Sequence, residues 1–249
     1  MNLNNSIKKY RGEIYKIFKE KKDPENRRPG IRWAFEPIKK ETKYLVLGIN
    51  PSNSYRKVNL VVEKSKHKWS KGKFKTQKEY DYFLSNEKKE SEITLLQELA
   101  HEHHPHFKKH RDFAKALKLN DTDYQFFDLF PIWRIKQKDF FDDLKDDEKE
   151  KSIKAFKELV NRHPNLEGLV FFNAGAADFF MKENKIKWNT KEKVDTRKDK
   201  DHRGRRNSII RIGNIDLINK SINVYGFGIG GYFGHKEIER LAEKSKHLF

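Results

Sequence analysis

Four short apolar runs constrain this chain more than any other feature. They lie in Tyr44 to Ile49, Asp123 to Trp133, Leu166 to Ala176 and Ile222 to Gly231, and each runs into glycine, proline or a small polar residue. Apolar runs of this length, closed by turn signals, read as buried strands. Helical periodicity fills much of the chain between them. Ile7, Tyr10, Ile14, Ile17 and Phe18 share one face of an N-terminal helix over 4–20, and Ile153, Phe156, Leu159 and Val160 one face of a helix over 147–163. Further helices are expected over 92–118, interrupted at His103 to Phe107, over 176–183 and over 235–249. Strands separated by helices pair in parallel and are covered on both faces. The expected fold is α/β: a three-layer α/β/α arrangement around a central, mainly parallel four-stranded sheet, as one domain over 1–249.

Several segments stand outside this pattern. Residues 21–30 are a turn-rich break, and 53–92 read as a polar, irregular insertion in which Tyr55, Trp69, Phe74, Tyr80, Tyr82 and Phe83 are scattered among lysines. Residues 187–207 read as a basic, apolar-poor loop, and 208–218 as a hairpin.

Composition removes whole classes of chemistry. The chain of 249 residues has no cysteine, so disulfides, thiolate metal sites, iron–sulfur clusters and a cysteine nucleophile are excluded. No run of about 18 apolar residues occurs, and the first residues hold no apolar stretch of signal length, so a cytoplasmic protein with no membrane partner is expected. Only 35% of residues are hydrophobic, but 19 are Phe, so a core can be built from few, large side chains. The formal charge is +18. A solvated lysine-rich surface accounts for that excess, and so does a polyanionic partner; among partners it points to nucleic acid. Five histidines fall within 101–110, but Pro105 breaks their spacing and no carboxylate-rich partner motif follows. A helix–turn–helix with Phe107 packed inward is expected there rather than a metal. No P-loop, dinucleotide fingerprint or Gly-x-Ser-x-Gly elbow is present.

In open α/β sheets, ligands bind outside the carboxyl ends of the strands. Those ends hold Gly48, Ile49, Asn50, Pro51 and Ser52; Asp128 and Phe130; Asn173; and the glycines from 226 to 231. Polar or conformationally free residues at all four ends point to a shared site.

The arrangement resembles the uracil-DNA glycosylase superfamily. Gly48-Ile49-Asn50-Pro51-Ser52 is similar to the Gly-Ile-Asn-Pro-Gly-like motif that ends the first strand in the mismatch-specific branch, differing at Ser52. Segments 124–134, 166–181 and 222–241 follow in the family's order. The resemblance implies a DNA glycosylase without a cofactor, a monomer that rotates a damaged or deaminated base such as uracil out of DNA and hydrolyses its N-glycosidic bond. Asn50 would position the water, Tyr55 would stack on the base, and Asp128 would stand at the base-reading position. Phe130 and Asn173 would line the same wall. Gly230, Gly231 and Tyr232 would approach the backbone or wedge into the duplex, and Arg203, Arg205 and Arg206 would meet phosphates.

Two departures bear on activity. The family reads uracil with an asparagine amide, whereas an ionised Asp128 only accepts hydrogen bonds. The last strand ends in Gly226 to His235, not in a His-Pro-Ser or Asn-Pro-Ser-like segment, and His235 is the only imidazole nearby. A non-catalytic nucleic-acid-binding member of the fold and a nucleoside or nucleotide hydrolase are the alternatives.

Overall fold

The structure is a computed structural model. It describes residues 38–48, 55–65, 73–129, 145–195, 207–229 and 234–249, together with Lys9, Tyr10, Gly12, Glu13 and Lys16 of an N-terminal helical stretch. Contacts group the chain into two compact units. One comprises Ile38–Gly48, Lys108–Phe127 and His163–Phe249, the other Met1–Pro37, Ile49–Phe107 and Asp128–Arg162.

The first unit is built on the sheet. Its strands are β1 (Tyr44–Gly48), β2 (Tyr124–Asp128), β3 (Gly168–Phe171), β4 (Thr190–Asp195), β5 (Asn207–Asp216) and β6 (Ser221–Phe227), in the spatial order β2-β1-β3-β6-β5-β4. β1 and β2 begin side by side, with the N–H groups of Lys43 and Tyr44 both donating to the carbonyl of Asp123. β1, β3 and β6 are parallel, while β5 runs antiparallel to β6 and β4 antiparallel to β5. The fold is therefore α/β, but the sheet is six-stranded and mixed, where the sequence predicts four mainly parallel strands.

The two extra strands correct two expectations. The basic loop predicted over 187–207 contains β4, and the hairpin predicted over 208–218 is one long strand, β5, whose turn to β6 is closed by Leu217 N–H donating to Lys220. β4 is an edge strand in which Val194 is buried and residues 190–193 are exposed, so it carries no apolar alternation to read. Gly213, which looks like a turn residue, lies mid-strand opposite Val224, where a Cβ would stand 2.6 Å from Met181 Cε.

Register explains the core. Val46, Val170 and Tyr225 lie abreast on one face. With Tyr44, Phe172, Phe227 and Ile210 they pack on Ile238, Leu241 and Ala242 of α7 (His235–Ser245) and on Phe113 of α4 (Pro105–Ala116). Leu47, Phe171 and Gly226 lie abreast on the other face. There Phe171 meets Phe180 of α6 (Ala174–Glu183) at 5.3 Å, and a Cβ on Gly226 would stand 3.6 Å from Ala177. Helices thus cover both faces, as parallel strands require.

The second unit is helical. It contains α1 (Tyr55–Ser65), α2 (Gln77–Ser85), α3 (Glu90–His103) and α5 (Asp146–Asn161). The segment predicted to be an irregular insertion over 53–92 is mostly helix. Val58, Phe74, Tyr80, Phe83, Leu84, Ile93 and Leu96 form one cluster, with Phe74 4.9 Å from Tyr80 and 5.2 Å from Phe83. The apolar residues are few but large, and on α2 they fall at i, i+3 and i+4. Thr76 caps α2 by accepting from Glu79 N–H, and Glu79 accepts from Lys75 N–H. Asn59 clasps the main chain of Phe74 in both directions, at 2.8 and 2.9 Å. The expected break in the histidine-rich helix falls at His104, before Pro105, where α3 ends and α4 begins.

Candidate functional site

The sheet orders the candidate residues by edge. β1 lies between β2 and β3, so the chain steps to one side of β1 and then returns to the other. That is a topological switch point, and its carboxyl edge is where open α/β sheets take ligands. Gly48 ends β1 at this edge, Asn173 follows β3, and Gly228 and Ile229 follow β6.

Asn173 is held by its own helix. Its Oδ1 accepts from the N–H groups of Gly175 at 2.9 Å and Ala176 at 3.2 Å, so it is the N-cap of α6. The residue remains exposed, but its carboxamide oxygen is engaged in starting the helix.

The free end of the β4–β5 pair reaches the same edge. Asp195 is opposite Asn207, Gly228 N–H donates to Ile209 at 3.3 Å, and Ser208 Oγ donates to Gly228 at 3.1 Å. The chain therefore leaves β4 and enters β5 beside the carboxyl end of β6.

Asp128 closes β2. The residue as a whole is only partly buried, yet burial pushes its carboxyl up to about 6, and the His101 charge offsets that only in part. Tyr10, fully buried, donates its hydroxyl to the carbonyl of Leu129 next in the chain. Burial first, and the Asp128 charge second, push the Tyr10 phenol up as well. A carboxyl that titrates near 6 can be an acceptor or, when protonated, a donor and acceptor together.

Tyr55 and His235 have different surroundings. Tyr55 opens α1 and packs against the helical core, with the Arg56 guanidinium 5.8 Å from its ring centroid. His235 heads α7 on the surface, 3.2 Å from Glu239. Ile49, Asn50, Pro51, Ser52, Phe130, Gly230, Gly231, Tyr232, Arg203, Arg205 and Arg206 lie outside the described residues.

Two features escape sequence reasoning. The His110 ring stacks on Phe172 at 4.3 Å, directly after β3, because α4 presents it to the sheet. Arg211 of β5 pairs with Asp178 at 2.8 Å and lies 5.9 Å from the Trp188 ring. Lone residues of these types give no signal until strand register brings them together.

His101, His104, His163 and Lys220 have structural roles. His101 and His104 edge onto Phe107, at 4.7 and 6.3 Å. Buried His163 bonds the Lys39 carbonyl at 2.9 Å, and burial lowers its pKa. Lys220, whose pKa burial also lowers, donates to the carbonyls of His163 and Leu166. Both sit where the chain enters the strands, away from the carboxyl edge. Among the described residues no group of three or more His, Asp and Glu is placed to hold a metal ion, and no helix is long and apolar enough to cross a membrane. Compared with family models, curated proteins and solved structures, the chain matches none.

Proposed function

We propose that this protein is a DNA base-excising N-glycosyl hydrolase of three-layer α/β/α, uracil-DNA glycosylase-like plan, working at the carboxyl edge of its sheet. The observation that carries the reading is the strand order. The strand that ends in Gly48, where the Gly-Ile-Asn-Pro-Ser motif begins, is the one that the chain crosses between β2 and β3. On this reading Asn50 orients the attacking water, and the departing base is read from the end of β2 by Asp128. An amide is a weak base, so the rate depends on positioning and on electrostatic stabilisation of the leaving base. The protein acts as a monomer in the cytoplasm and needs no cofactor.

The test is excision from single-stranded and duplex oligonucleotides that carry uracil, hypoxanthine, xanthine or a thymine mismatch. Abasic product is expected with at least one, and Asn50→Ala should lower its rate about 100-fold while affinity persists. Folded protein that yields no product with any of them overturns the reading. One observation favours a second reading, a binding protein without chemistry: the carboxyl at the base-reading position carries no amide donor and titrates near 6. That version predicts salt-sensitive oligonucleotide binding, no turnover, and no effect of Asn50→Ala on affinity.

A further inference from the structure

We propose that one face of the β4–β5 hairpin is a docking track for the phosphate backbone of a nucleic acid strand, with Lys191 and Lys193 as its contacts. The inference takes its class of polymer from the reading above but does not depend on excision.

Alternation places the charges. Along β4, Lys191 and Lys193 project to one face, and Thr190, Glu192 and Val194 to the other. Register then sets Arg211 opposite Lys191 and Ile209 opposite Lys193 on the same face. Glu192, between the two lysines, is therefore turned away, while Asp195 at the end of β4 falls on the lysines' side of the alternation. On this face the two lysines lie beside Ile209, which is 40% exposed.

The three cations are not equivalent. Arg211 is the floor of the face: its side chain is 17% exposed, its charge is balanced by Asp178, and it lies along Trp188. Lys191 and Lys193 are exposed, and among the described residues neither forms an ion pair. They can release counterions to a polyanion without first giving up a protein partner.

Position links the track to the candidate site. Lys193 is opposite Ile209, whose carbonyl accepts from Gly228 just past the end of β6. A strand that follows the face from Lys191 to Lys193 is therefore led to the carboxyl edge. Lysines on an edge strand also guard against pairing with another sheet. That role needs charge along the edge but does not require both lysines on one face with an apolar side chain beside them.

The test is fluorescence anisotropy with labelled single-stranded and duplex oligonucleotides across a salt series. The variants are Lys191→Gln with Lys193→Gln, and Lys191→Glu with Lys193→Glu; the control is Lys151→Glu with Lys154→Glu on α5. Thermal melts show which variants fold, and if the glutamate pair does not, the glutamine pair decides. The glutamine pair should weaken binding about tenfold and flatten the slope of log affinity against log salt by about 1.4 to 1.8, the share of two phosphates. The glutamate pair should weaken it further, and the control pair should do neither. Three results overturn the track: a loss no larger than the control's, wild-type protein that binds neither oligonucleotide, or polyglutamate bound as tightly and lost through the same substitutions. Excision is read separately. A wild type that yields no product while the lysine pair still sets the salt slope ends the enzyme reading and leaves the track standing. Excision that persists with binding unchanged in the variants ends the track alone.

Discussion

Asp128 ends β2 with its carboxyl lifted to about 6 by burial, against an ordinary value near 4. Between those two values the folded chain keeps a proton that the unfolded chain has released. Stability therefore falls as pH rises from about 4 to about 6, and above that the full cost is present, on the order of 2 kcal/mol for a partly buried residue. Asp128→Asn removes the charge and keeps the shape. It should stabilise the protein at pH 7 by about 1–2 kcal/mol and give no gain near pH 4, as urea titrations at the two pH values would show. An amide also offers the donor and acceptor that uracil requires. Uracil excision should thus rise in the variant, most of all above pH 6, where the native carboxyl is ionised. An unchanged or lowered uracil rate above pH 6 would remove Asp128 from the base-reading role. The position of this residue was legible in the sequence, since an apolar run closes around it. Its protonation was not, because its burial and the charge of His101 depend on how distant segments pack. Asn173 shows the same limit: its place after β3 could be read, but its engagement as a helix cap could not.

Elements were legible where burial was two-sided. β1, β3 and β6 announced themselves because side chains on both their faces are buried. β4 did not, since Val194 is buried but residues 190–193 are exposed, and α1 and α2 did not, since a few large residues among lysines build their core. Glycines carry the same lesson. In β3, a Cβ at Gly168 would stand 2.9 Å from the Tyr225 ring and 3.1 Å from Tyr44. Neither ring can retreat. Tyr225 donates to the Leu248 carbonyl and Tyr44 to Glu167, and both pack on Phe249, at 4.9 and 5.0 Å. Gly168→Ala should therefore cost about 1–3 kcal/mol, measured by chemical denaturation. At Gly213 the nearest atom is the terminal methyl of Met181, which can swing aside. Gly213→Ala should stay within about 1 kcal/mol of the parent, because a strand interior favours a side chain over glycine. Equal losses at the two positions would mean that the packing around β3 is looser than the contacts indicate.

At the scale of the molecule, charge has two opposed consequences. A net charge of +18 was legible at once; the placing of Lys191 and Lys193 beside Arg211 and Ile209 was not, because that depends on the pairing of β4 with β5. Like charges repel within the folded chain, and salt relieves that repulsion: the screening length is about 10 Å at 0.1 M. The same salt competes with lysines for phosphates and weakens nucleic acid binding. Raising sodium chloride from about 0.02 M to about 0.3 M should therefore increase the melting temperature of the free protein by about 2–4 °C, the equivalent of roughly 1 kcal/mol in a chain of this size. Over the same range, oligonucleotide affinity should fall by more than tenfold. A saturating oligonucleotide should raise the melting temperature at the low-salt end through linkage and lose that effect at the high-salt end. The two melting curves, free and bound, should converge as salt rises. A free-protein melting temperature that falls with salt would mean that local ion pairs outweigh the net charge. Curves that stay apart would mean that binding rests on base contacts rather than on the basic face.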